Sequence, residues 1–219
     1  MQLTQTIIQF PEIQLATRDA HKLRGYFGEL FREHSPLLHN HFEDGRLRYA
    51  YPLVQYKVVD NVPVLAGFAD GADLLTQLFL KIKEIRIGAE VFPVYSKNIT
   101  QKNFELSVNQ GLYNYSFKTL WMGLNQKNFN VYLNLNENEQ KKFLDKTLQN
   151  NILSFYKGVG FRVGERILVN GAFTEKQTFF KDKKMVAFAG RFSSNAFLPG
   201  FTGIGKAVSR GFGTVVQTV

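Results

Sequence analysis

The chain has 219 residues, 44% hydrophobic and 21% charged, the balance of a soluble globular protein with room for one large domain or two of about 100 residues. It has no cysteine, which excludes disulfides and Cys-based metal sites, and no apolar run approaches the ~18 residues of a membrane span. The net charge of +9 is unevenly placed, with 12 Lys and Arg against 12 Asp and Glu in residues 1–110 and 15 against 6 in residues 111–219; the basic second half implies a polyanionic partner, nucleic acid before membrane.

The opening MQLTQTIIQF lacks the basic start and small-residue cleavage site of a signal peptide, and LTQTIIQF (3–10) alternates as a strand. With no membrane span either, a cytoplasmic location is the expectation. Residues 18–33 place Leu23, Phe27, Leu30 and Phe31 at helical spacing. After a polar stretch, the β-rich runs YAYPLVQYKVV (49–59) and VPVLAGF (62–68) are joined by Asp60-Asn61 as a hairpin. Asp70 is expected to cap a helix over 71–82, and EIRIGAEVFPVY (84–95) reads as the next strand. The order β-α-β-β-α-β is that of a ferredoxin-like unit. It is assigned to residues 1–105, with the junction inside KNITQKNFELSVNQG (97–111).

Between the first helix and second strand of this unit runs HSPLLHNHFEDGRLRYAYP (34–52), which Pro36 and Gly45 mark as irregular. His39 and His41 support three readings. They can form part of a metal site with Glu43 or Asp44, although a zinc site wants three or four ligands in a geometry that such close carboxylates rarely supply. They can belong to a plain polar loop. Or they can work as an acid–base pair, because residues i and i+2 of an extended chain face the same side and two imidazoles can then reach one phosphodiester. In that case a nearby cation, Lys57 or Arg46, stabilises the transition-state charge, and Tyr26 on the first helix is a further candidate facing the loop.

The second half begins in the same way. FKTLWMGL (117–124) reads as a strand with NVYLNL (130–135) extending its hairpin, and Asn136 with Glu139 three residues on starts a helix to about Tyr156. Gly158 and Gly160 stop it. ERILVNGAF (165–173), KQTFF (176–180) and MVAFAGRF (185–192) follow as antiparallel strands, and GFGTVVQTV closes as the last. The expected fold is therefore α+β, a tandem pair of ferredoxin-like (RRM-like) domains at 1–105 and 106–219. In the second, a glycine-rich loop stands in place of the second helix.

That loop is LPGFTGIGKAVSRGFGTVV (198–216), which from Gly200 comes within one residue of the nucleotide-binding P-loop. The residue after Lys206 is Ala207, which has no hydroxyl for Mg²⁺, and the twelve residues that follow are too few to complete a parallel α/β sheet. The NTPase reading fails. A loop remains whose backbone N–H groups can approach phosphates beside Lys206 and Arg210, or else a glycine-rich bend between strands.

Tandem ferredoxin-like units, Leu37-Leu-His-Asn-His41 near the start and Gly203-Ile-Gly205-Lys-Ala-Val-Ser-Arg-Gly211-Phe-Gly213 near the end together resemble the Cas-six family of CRISPR-associated repeat-processing endoribonucleases. YAYPLVQYK (49–57) followed by GADLL (71–75) is similar to one branch of it. The resemblance implies metal-independent cleavage of CRISPR repeat RNA by a 2′-hydroxyl, with no cofactor and no membrane. Its catalytic set would be drawn from His39, His41, Lys57 and Tyr26, and its RNA contacts from Gly203, Gly205, Lys206, Arg210, Gly211 and Gly213. Other CRISPR effector subunits are further partners it implies. A noncatalytic RNA-binding subunit with the same fold is the alternative.

Overall fold

The structure, a computed structural model, describes residues 1–31, 51–180 and 183–218. The chain divides into two compact units, Met1–Glu105 with Val208–Gly211, and Leu106–Ala207 with Phe212–Val219. Among the described residues no helix is long and apolar enough to cross a membrane.

The first unit runs β1 (Gln2–Gln9), α1 (Ala20–Leu30), β2 (Val54–Val59), β3 (Val62–Phe68), α2 (Asp70–Leu78), β4 (Glu84–Ile87), β5 (Glu90–Pro93) and β6 (Asn98–Glu105). Four strands form an antiparallel sheet in the order β2-β3-β1-β6. The β2–β3 turn is made by Asp60 and Asn61 at φ +50° and +66°. Two positive φ values define the primed turn that matches strand twist, and Asp and Asn tolerate them best after glycine. The core lies between the helices and one face of the sheet: Phe27 of α1 packs with Phe10, Phe31 and Tyr56 at ring separations of 5.9–6.3 Å. Truncating so buried a ring costs about 3–5 kcal/mol.

Three expectations for this unit change. Residues 84–95 are not the fourth strand of the sheet; β4 and β5 form their own two-stranded hairpin, with Gly88 at φ +65° between them. The fourth strand is β6, in the stretch expected to link the domains, and it pairs with all of β1 from Gln2↔Glu105 to Gln9↔Asn98. Asp70 does not cap α2: Ala69, at φ +49°, holds that position and Asp70 is the first helical residue, where its charge complements the dipole.

The second unit contains β7 (Val108–Phe117), α3 (Gln126–Leu133), α4 (Glu137–Gly158), β8 (Val169–Phe180), β9 (Lys183–Ala196) and β10 (Val215–Thr218). Its sheet is antiparallel in the order β10-β7-β9-β8. Asn136 and Glu139 form the expected capping box. Residues 130–135, expected as a strand, lie mostly in α3, because the Asn125 side chain accepts from the Asn128 N–H at 2.7 Å and opens a helix there. Residues 117–124 keep only a bridge, Trp121↔Phe188, beyond the end of β7. Residues 169–173 and 176–180 of the two expected runs merge into the single strand β8, and residues 165–168 precede it. Trp121, fully buried, anchors the core against Phe117, Phe173 and Phe188 at 5.1–5.7 Å.

Candidate nucleic-acid interface

The glycine-rich segment is divided between the units. Gly203 bridges Thr214, Gly213 N–H donates to the Leu120 carbonyl at 2.9 Å, and Lys206 N–H donates to the Met122 carbonyl at 2.9 Å, all within the second unit. Gly205, at φ +102°, lies so close to Trp121 that a Cβ would stand 2.7 Å from the indole Nε1. No helix opens from it; the segment's helical turn is the short 3-10 stretch Val208–Arg210. That turn belongs to the first unit. There a Cβ on Gly211, at φ +91°, would meet the Ala20 Cβ at 2.7 Å and the Tyr56 carbonyl oxygen at 3.4 Å. Only glycine lets the backbone sit so close to the start of α1 and to β2.

The glycines therefore have an internal structural reason to be where they are. Gly203, Gly211 and Gly213 are buried, Arg210 is half-buried and Lys206 is exposed. Lys206 is the exposed residue of segment 198–216, while Arg210 is half-buried like Phe201, Ser209 and Phe212.

Around Gly211 the first unit gathers charge from three parts of the sequence. Lys57 of β2 is fully buried, with its Cα 3.7 Å from the position of a Gly211 Cβ. Burial pushes its ammonium down to about 7, because desolvation disfavours the charged form. Arg24 of α1 is held below the usual guanidinium range by burial first and by the nearby Arg210 charge second. Sequence reading did not single out Arg24; it is one polar residue on a helix, and only the return of the chain at Arg210 gives it a like-charged neighbour.

Tyr26 donates its hydroxyl to the Glu84 carbonyl at 3.0 Å and sets its ring edge-on to Phe27. Burial, and then Glu84, raise its phenol above the ordinary value. It ties α1 to β4. His39 and His41 lie outside the described residues, in the stretch of chain that joins α1 to β2.

The fold thus holds two α/β units in sequence, each with a four-stranded antiparallel sheet, and a glycine-rich segment that brings Gly211 beside the buried Lys57. Residues 1–105 match the Cas6b N-terminal domain and residues 107–218 the Cas6b C-terminal domain, so the chain belongs to the Cas6b family. It is similar to a crystal structure of Cas6b at 35% identity and TM-score 0.94, with 100% of each chain covered. A second crystal structure, of a CRISPR RNA processing endoribonuclease Cas6b, is 34% identical with TM-score 0.80, again over 100% of both chains. The uncharacterized protein MJ0978 of Methanocaldococcus jannaschii is 33% identical over 144 residues, 64% of this chain and 97% of that protein.

Proposed function

We propose that the chain is an endoribonuclease that cuts CRISPR repeat RNA. The observation that carries this reading is the match of both halves to the Cas6b domains, together with full-length similarity to a Cas6b described as a CRISPR RNA processing endoribonuclease. Each half, 1–105 and 106–219, is taken as a ferredoxin-like domain. In support, each sheet sets its first strand between its third and its last, β1 between β3 and β6 and β7 between β9 and β10.

The chemistry proposed needs no metal. The 2′-oxygen upstream of the scissile phosphate bonds to phosphorus as the bond to the 5′-oxygen breaks, leaving a cyclic phosphate and a 5′-hydroxyl. One of His39 and His41 takes the proton from the 2′-hydroxyl, and the other gives one to the departing oxygen. Lys206 and Arg210 hold phosphates, with the glycines at 203, 205, 211 and 213 fixing the backbone that carries them. Lys57 and Tyr26 enter as positioning residues, since the first is fully buried and the second is hydrogen-bonded to the Glu84 backbone.

A repeat RNA with one deoxynucleotide upstream of the cut tests this directly. Cleavage should stop while affinity stays near that of the normal RNA, because phosphates and base edges are unchanged. EDTA should leave cleavage of the normal RNA intact. A metal-assisted attack by water would do the opposite on both counts.

A further inference from the structure

We infer that the second unit carries a pocket for one unpaired base of the bound RNA, between the start of α3 and the β8–β9 ladder. The inference rests on the RNA-processing reading and adds a site to it. The cavity has a volume of about 260 Å³, below the ~300–1,000 Å³ of pockets for drug-sized ligands, so it suits a single ring system. Leu124, Phe129, Met185 and Val186 give it apolar walls. Leu124 is buried and the other three are half-buried, with the Phe129 ring stacked on Tyr132 at 6.4 Å. Phe129 adds a π surface for stacking.

The remaining lining is made of carboxamides: Asn125, Gln126 and Gln177. Gln177 faces across the ladder to Val186. Among the described residues its carboxamide has no protein partner. Gln126 reaches Asn130 only at 3.4 Å, and Asn125 uses its oxygen on the Asn128 N–H, leaving its amide hydrogens. No lining residue carries a formal charge, which argues against a phosphate or a metal ion. Donors and acceptors above an apolar floor, without charge, match a neutral planar group that presents both N–H and C=O or ring nitrogen. A nucleobase is that group, and a glutamine carboxamide can pair with a base edge through two hydrogen bonds. Lys127, next in sequence to the lining Gln126, is exposed and can reach a flanking phosphate. The base must be unpaired, because its edge and face are both engaged.

The test is an affinity profile for repeat RNAs with one abasic residue placed at each position in turn, against the wild-type chain and a Gln126→Ala/Gln177→Ala variant. Both glutamines are exposed, so the variant should keep the wild-type Tm. We expect one unpaired position at which base removal weakens wild-type binding about ten-fold, while the variant loses about ten-fold on intact RNA and is indifferent to base removal there. 2-Aminopurine at that position should be quenched on binding to wild type, and less so with Phe129→Leu, which keeps an apolar wall and removes the ring. Identical abasic profiles for the two proteins, or a variant that binds intact RNA as tightly as wild type, would overturn the pocket and leave RNA processing standing. Failure of the wild-type chain to bind repeat RNA would overturn both.

Discussion

Lys57 shows how much a single position depends on its surroundings. An ammonium that ordinarily titrates near 10.5 is brought to about 7 by complete burial, so the folded chain binds fewer protons than the unfolded one between those values. Stability must then rise with pH across roughly 7 to 10.5, and the cost of the buried charge is present in full below pH 7. Lys57→Met, of similar length and without charge, removes that dependence. Its Tm should exceed the wild-type value at pH 6 by a few degrees, and the gap should shrink by pH 9; a gap constant with pH would show that the ammonium is not desolvated. The proposed histidine pair is tested at the same scale. His39→Ala with His41→Ala should slow cleavage by about 10²–10⁴-fold with folding intact, as single-turnover kinetics would show. Gly211 is tested through stability: Gly211→Ala forces a Cβ against Ala20 at φ +91° and should cost about 1–3 kcal/mol. Gly200→Ala, where nothing lies within 4 Å, should stay within about 0.5 kcal/mol. Denaturant midpoints of the two variants decide it.

At the scale of elements, the sequence was legible where local chemistry decides the outcome. The Asp60-Asn61 turn and the Asn136–Glu139 capping box carry their own signal and stand in the fold; of the apolar stripe, Leu23 and Phe27 of α1 and Phe31 just past its end are buried, while Leu30 is exposed. β6 carries none. Its residues are almost all exposed, so it has no apolar alternation; it is a strand because β1 offers a full-length edge and polar pairs such as Thr4–Asn103 and Gln101–Thr6 fit across it. α3 misleads for the opposite reason, since its Val, Tyr and Leu read as strand while the Asn125 cap at its start settles the helix. The candidate site was legible as residue types, namely the glycines and the cations beside them. That Gly211 would stand over Lys57, and Arg210 near Arg24, could not be read, because contacts between distant stretches leave no local pattern.

For the whole molecule the imbalance of charge matters most, since 15 basic residues face 6 acidic ones after residue 110. Affinity for repeat RNA should fall steeply with salt as counterions are released. Lys206→Ala with Arg210→Ala should flatten that dependence by about one counterion for each phosphate the two cations neutralise. A salt titration of binding that gives the same slope for both proteins would leave the glycine segment with a structural role alone.

The assignment of Val208–Gly211 to the first unit bears on how such a chain is made and taken apart. The backbone passes from one unit to the other three times, after Glu105, after Ala207 and after Gly211. On a ribosome, the first unit is translated through Glu105 long before the four residues that seat on α1 and β2 have been synthesised. It must wait, incomplete, for the rest of the protein. The same threading frustrates dissection: a gene fragment ending at residue 105 encodes a unit with a gap beside Lys57, and a protease that cuts at the junction leaves the halves still laced together.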